Sequence, residues 1–147
     1  MKATLLHEAK TILDDRIKMA YDAMQAAQAS ANSESKSSAG DKYETGRAMG
    51  QIERDLNAHQ YQKLKQERLT LDRIDIDLTP NRVAVGSLVG TSVGTFWIAV
   101  SLGILTIDNQ PTMVVSAASP IGQALMGLQV GDGFEFQKKK AIIEKIS

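Results

Sequence analysis

Residues 83–107 read VAVGSLVGTSVGTFWIAVSLGILTI, twenty-five positions without one charged side chain. Gly86, Gly90 and Gly94 recur inside this run at four-residue spacing. Two structures suit it: a membrane-spanning helix with a small-residue packing face, or a set of buried strands. The strands are preferred for three reasons. The run is dense in Val, Ile, Thr, Phe and Trp, which fit a pleated, buried surface. It holds six Ser/Thr and four Gly, a poor composition for a helix facing lipid. Gly90-Thr91-Ser92-Val93-Gly94 is also a natural turn between strands at 83–89 and 95–102.

Downstream, further strands are expected at about 104–107, 112–116, 133–137 and 141–146. One short helix interrupts them: Ser119 is placed to cap it, Pro120 to begin it and Gly127 to end it. Residues 79–147 therefore read as a small antiparallel β domain with one short helix. The turn signal Leu78-Thr79-Pro80-Asn81 marks where it starts.

Upstream the rules change. Residues 1–75 carry 12 basic and 12 acidic side chains, against five of each in 76–147, so the two parts have different solvent exposure. Leu5, Ile12, Met19 and Ala26 recur every seven residues, with Leu6, Leu13, Ala20 and Ala27 beside them, a seam able to face another helix. The small polar run from Ser30 to Gly40 breaks this pattern, and a second begins near Lys42 with Met49, Ile52, Leu56, Leu64 and Leu71 on one broad face. Residues 1–78 thus read as an antiparallel helical hairpin, a coiled coil with a polar tip at about 31–44. The fold class is α+β.

Composition excludes several functions. A formal net charge of zero argues against a general nucleic-acid coat. With no cysteine there is no disulfide scaffold, thiolate metal site or cysteine nucleophile. His7 and His59 are too far apart in sequence to form a His cluster. No Gly-rich phosphate loop or nucleophile elbow occurs. The N-terminus lacks the uncharged core of a signal peptide, so a cytoplasmic protein is expected.

The residues able to carry chemistry lie mostly on the hairpin. Asp41 and Glu44, three apart, are able to face outward together at the start of the second helix. Paired carboxylates on a tip suit a hard divalent cation such as Mg²⁺. The same residues fit a capping box, with Asp41 as N-cap and Glu44 bonding back to its amide, and the two readings are compatible. Along the second helix Arg47, Arg54, Tyr61 and Arg68 recur every seven residues, with Lys65 near the same face. They form either a phosphate-contacting face with Tyr61 stacking, or a solvated face laced with Glu53, Asp55 and Glu67. Lys138-Lys139-Lys140 reads as protection of a sheet edge.

Two stretches resemble a known family. Gly40-Asp41-Lys42-Tyr43-Glu44 is similar to the Gly-Asp-x-x-Glu tip of the Gre-type transcription elongation factors. Ser119-Pro120-Ile121-Gly122-Gln123-Ala124-Leu125-Met126-Gly127, followed by Val130-Gly131-Asp132, resembles the Ser-Pro-Ile-x-x-x-Leu-x-Gly block and Gly-Asp turn of that family's FKBP-like C-terminal domain. The resemblance implies a monomer that binds bacterial RNA polymerase through its secondary channel, meets nascent RNA only indirectly, and has no membrane partner. It implies that Asp41 and Glu44 help hold a Mg²⁺ shared with the polymerase, so that a backtracked polymerase cleaves its own transcript. On this view the chain is not itself an enzyme. Arg47, Arg54, Tyr61, Lys65 and Arg68 become the RNA or polymerase contacts, and Ser119, Pro120, Ile121 and Gly127 the C-terminal motif. Family tips commonly continue with Asn and a Glu-Tyr pair, where Thr45-Gly46-Arg47-Ala48 stand here. Two alternatives remain open: a non-cleaving channel-binding regulator of the same shape, and an FKBP-like prolyl isomerase or chaperone with a helical arm.

Overall fold

The computed structural model describes residues 1–34 and 40–147, with side chains over 1–30 and 45–147. Two 33-residue helices come first, α1 (Lys2–Glu34) and α2 (Gly40–Asp72). Six strands and a short helix follow: β1 (Leu88–Thr91), β2 (Gly94–Ala99), β3 (Gly103–Ile107), β4 (Gln110–Ser116), α3 (Pro120–Leu125), β5 (Gly133–Phe136) and β6 (Lys139–Ile146). Helical hairpin, then sheet with one helix, is the architecture expected from sequence. Among the described residues no helix is long and apolar enough to cross a membrane.

Contacts gather the chain into two compact units, Thr11–Leu69, and Met1–Lys10 together with Thr70–Ser147. In the hairpin unit, the buried and half-buried positions of α1 include Leu13, Ile17, Ala20, Met24 and Ala27. Those of α2 include Gly50, Arg54, Asn57, Tyr61, Leu64 and Arg68. Steps of three and four alternate along both helices, as in a coiled coil. The seam nevertheless departs from the one read by hydrophobicity. Met19 is 71% exposed, and Met49, Ile52 and Leu56 are exposed by 66%, 60% and 67%. The physical reason is that α1 is rich in Ala on several faces, so its apolar spacing permits more than one phase. The phase adopted is the one that brings Asp14 to Arg68, Tyr21 to Tyr61 and Gln28 to Arg54.

In the sheet unit the strand order is β3-β4-β2-β1-β6-β5. Chain-adjacent strands β1 and β2 form a hairpin with Thr91 opposite Gly94. The turn between them is therefore only Ser92-Val93, shorter than expected. The Thr91 hydroxyl tightens it, donating to Gly94 O at 2.7 Å and accepting from Val93 N at 3.2 Å. After β2 the chain skips one place to make β3 at the edge, and β4 returns into the gap. Four ladders are antiparallel, but β4 lies parallel to β2, with Thr95 opposite Thr112 and Ala99 opposite Ser116. The sheet is thus mixed, where a wholly antiparallel one was expected. Turn signals show where strands reverse; they do not say whether a returning strand lands beside its predecessor or one place short of it.

The uncharged run is explained by β2. Phe96, Trp97, Ile98, Ala99 and Val100 are all buried, so both faces of this strand are covered and its sequence does not alternate. Phe96 and Ile98 join Val83, Val89, Val115, Leu125 and Ile143 in one core under α3. Phe96 meets Phe136 edge to face, centroids 5.5 Å apart. Trp97, on the opposite face, is fully buried, and its Nε1 donates to Gly86 O at 3.2 Å.

That bond corrects the strand expected at 83–89. Gly86 adopts φ +95°, in the region that only glycine enters freely, and turns the chain at Ala84–Ser87. Only residues from Leu88 onward form the strand. Val83 instead exchanges backbone hydrogen bonds with the segment after α3, donating to Leu128 O and accepting from Gly127 N. Leu5, Ala9 and Leu71 are fully buried in the same unit, where Lys10 and Asp72 lie 3.6 Å apart. Lys2 Nζ donates to Leu78 O at 2.9 Å; burial lowers its pKa, against the opposing pull of Asp75 and Asp77.

Trp97→Phe removes the donor to Gly86 O and leaves that carbonyl unpaired inside the protein. The expected loss is about 1–3 kcal/mol. It will be read in urea as a lower unfolding midpoint with an unchanged slope.

Candidate functional site

Three groups of residues were singled out by the sequence, and they fare differently. Asp41 and Glu44 lie on the first turns of α2, which begins at Gly40. Their side chains are outside the described residues, and so is the capping box they would form. What remains is their spacing: residues three apart on a helix share a face. Two carboxylates supply hard oxygen ligands of the kind Mg²⁺ takes, but too few to complete its octahedral shell. Among the described residues no group of three or more His, Asp or Glu is placed to bind a metal.

The stem residues are brought together, though against α1. Arg54 Nη1 donates to Gln28 Oε1 at 3.1 Å, while its Nε and Nη2 bond to Asp55. The Tyr61 ring packs against Tyr21, centroids 5.7 Å apart and planes at 52°. Lys65 Nζ lies 5.2 Å from the Tyr61 centroid, a cation–π arrangement. Arg68 Nε donates to Asp14 Oδ1 at 2.9 Å. Arg47 is exposed. Seven-residue steps down α2 are answered by seven-residue steps up α1, so Arg54, Tyr61 and Arg68 set the register of the hairpin. A solvated ion pair is worth only about 0–1 kcal/mol, so these cations remain available to a partner at small cost.

The C-terminal block is defined fully. Ser119 caps α3, its Oγ accepting from Gly122 N at 3.1 Å and donating to Ser116 O at 2.7 Å. Pro120 occupies the first turn, where its missing N–H costs nothing. Leu125 is fully buried in the core, and half-buried Ile121 packs against it. Gly127 takes φ +81° just past the helix and donates to Val83 O at 2.8 Å. The Val130-Gly131-Asp132 turn closes the connection to β5. Asp132 Oδ2 accepts from Gln129 N at 2.8 Å, and its carbonyl accepts from Ile143 N at 3.0 Å.

One residue of this block escaped the sequence reading. A Cβ on Gly122 would stand 2.0 Å from Ser116 O and 3.0 Å from the Ala117 backbone, so no other residue fits without moving the β4–α3 turn. The available signal was a glycine inside a six-residue helix, which implies close backbone approach.

No protein-family model matches this sequence, and no curated protein matches it. Among solved structures, that of the transcription factor Gfh1 aligns over 93% of this chain and 92% of its own, at 18% identity and a TM-score of 0.37.

Gly122→Ala is expected to destabilise the sheet unit by about 1–3 kcal/mol, the cost of overpacking a closed site, measured as a lowered denaturation midpoint. In the hairpin, the double-mutant cycle of Asp14→Ala and Arg68→Ala should give a coupling of at most about 1 kcal/mol. A larger coupling would make Arg68 chiefly a structural residue.

Proposed function

We propose that this protein is a Gre-like transcription factor. It works in the cytoplasm, binds bacterial RNA polymerase through the secondary channel, and stimulates Mg²⁺-dependent cleavage of backtracked transcripts. The observation that carries this reading is the placement of Asp41 and Glu44 where two long helices join. α1 runs unbroken to Glu34 and α2 starts at Gly40, each about 50 Å long at about 1.5 Å per residue. An acid pair at the joined end of such arms is suited to reaching into a narrow channel. The Ser119–Gly127 block supports the same family reading.

The chemistry follows from what the chain offers. Hydrolysis of a phosphodiester forms a bond from a water oxygen to phosphorus and breaks the bond to the 3′ oxygen. A Mg²⁺ held jointly with the polymerase would stabilise the charge on both oxygens. Asp41 and Glu44, three positions apart at the start of α2, would supply the carboxylates that orient that water. The polymerase supplies the rest of the site, so the factor stimulates the reaction and does not perform it alone. The flanking charges are compatible with passage near RNA. Residues 34–44 hold three acids against two lysines, and residues 47–73 hold six basic against four acidic side chains.

The non-cleaving reading has its own support in Gly46 and Gly50, which lie two and six residues beyond Glu44 in α2. Each costs about 0.5–1 kcal/mol of helix stability relative to alanine, which loosens the support beneath the acids. The prolyl-isomerase reading is weaker. Phe96 and Trp97 are buried in the interior of the sheet unit, which leaves only Phe134 and Phe136 of its large aromatics to line a pocket.

Purified backtracked elongation complexes with a labelled transcript and Mg²⁺ separate these readings. Shortening of the RNA by the wild type, reduced at least ~10-fold by Asp41→Ala or Glu44→Ala, is expected, given that each carboxylate need contribute only about 1.4 kcal/mol to the transition state. Polymerase binding with no shortening would support the non-cleaving regulator. Absence of polymerase binding would sink both.

A further inference from the structure

One edge of the sheet is guarded and the other is not. At the β5 edge, Glu135 lies on the outer strand, opposite Lys140, and the turn and strand behind it carry Lys138 and Lys139. Charges at an edge prevent another strand from adding to it. The β3 edge, Gly103-Ile104-Leu105-Thr106-Ile107, has no charge and no proline. Ile104 is 62% exposed, and among the described residues β3 pairs only with β4.

The register shows which backbone groups are left open. The β3–β4 hairpin closes with Ile107 opposite Gln110 around the two-residue turn Asp108-Asn109, both at positive φ. Bonded and non-bonded pairs alternate from there, so Leu105 and Thr112 form a bonded pair, and Ile104 and Thr106 direct their N–H and C=O groups away from β4. Pro111, opposite Thr106, falls at a non-bonded position, where its missing N–H is harmless.

Beside this edge, on the face of Phe96, lies an apolar cavity of about 160 Å³ lined by Val93, Phe96, Ile104, Pro111, Met113 and Phe136. None of these residues carries a charge. A strand bringing a charged side chain onto this face would desolvate it without a counter-charge. The occupant must therefore be extended, uncharged and about five residues long.

We propose that the occupant is β3 of a second copy of this chain. The segment meets its own requirement, and antiparallel pairing about a two-fold axis at Leu105 is self-complementary. Ile104 then lies opposite Thr106 of the other copy, and these two residues exchange the backbone hydrogen bonds left open in the monomer. The apolar face of Met113 and Ile104 continues across the junction, and no like charges are juxtaposed. Five residues a side bury well under the roughly 1,200–2,000 Å² of a standard stable interface. The dimer is accordingly weak and forms from the monomer with rising concentration. This inference does not depend on the polymerase reading.

Two measurements on the full chain test it. Sedimentation velocity over a concentration series should show the wild-type mass rising from monomer toward dimer. Ile104→Lys and Thr106→Lys, both at exposed positions, should weaken association at least ~10-fold, a loss of about 1.4 kcal/mol, with unchanged circular dichroism. The chain has no cysteine, so Leu105→Cys introduces a single thiol. Opposite residues in a non-bonded antiparallel pair have Cβ atoms about 4.5–5.5 Å apart, close to disulfide range. Leu105→Cys should therefore form a covalent dimer on mild oxidation faster than Glu135→Cys at the other edge. A wild type that stays monomeric throughout the series would overturn the proposal. So would Lys variants that associate like the wild type, or equal cross-linking at the two edges.

Discussion

Burial of β2 on both faces is the constraint around which the sheet unit is built. Phe96 and Ile98 go to the α3 side, and Trp97 goes to the other. The same strand is also interior to the sheet, flanked by β1 and β4, with β3 at the edge beyond β4. Trp97 brings a polar atom into that interior, and its N–H requires an acceptor. Gly86 O is that acceptor, reached because a left-handed glycine turns the chain back across the strand. The turn at Ala84–Ser87, the position of β1 and the placement of Trp97 are consequences of one another.

The hairpin unit rests on a different kind of constraint. Its second helix brings little apolar volume to the seam: Gly50, Asn57 and the polar Arg54 and Arg68 occupy positions that a coiled coil usually gives to Leu or Ile. Among the described residues, contacts such as Asp14–Arg68, Tyr21–Tyr61 and Gln28–Arg54 hold the two helices in register, and a solvated ion pair of this kind is individually weak. Met49, Ile52 and Leu56 remain in solvent as a result. A hairpin held in this way is stable enough to keep its alignment, and its cations are still recruitable by a partner.

Much of the fold was legible in the residues. The twenty-five uncharged positions, the seven-residue recurrences and the Ser-Pro pair with its following glycine led to the helices, the capped α3 and most of the strands, although the strand expected at 83–89 begins only at Leu88. Less of the candidate site was. The seven-residue spacing groups Arg54, Tyr61 and Arg68, with Lys65 near the same face, but spacing does not say which face of α2 turns toward α1. Gly122 went unnoticed because its necessity lies in the position of Ser116 O, a neighbour brought close only by the turn between β4 and α3.

Periodicity, capping residues and turn glycines act over a few positions along the chain, so the sequence by itself determined the identity and order of the elements. It also determined the contrast between a charged helical part and an uncharged sheet. Choices between segments that satisfy the local rules equally well were left to the tertiary structure. It set the phase of an alanine-rich seam through an ion pair, a ring contact and a hydrogen bond across the hairpin, and the parallel landing of β4 beside β2. It also determined which sheet edge stays open. These choices depend on contacts between residues distant in sequence, whose energies no local pattern encodes.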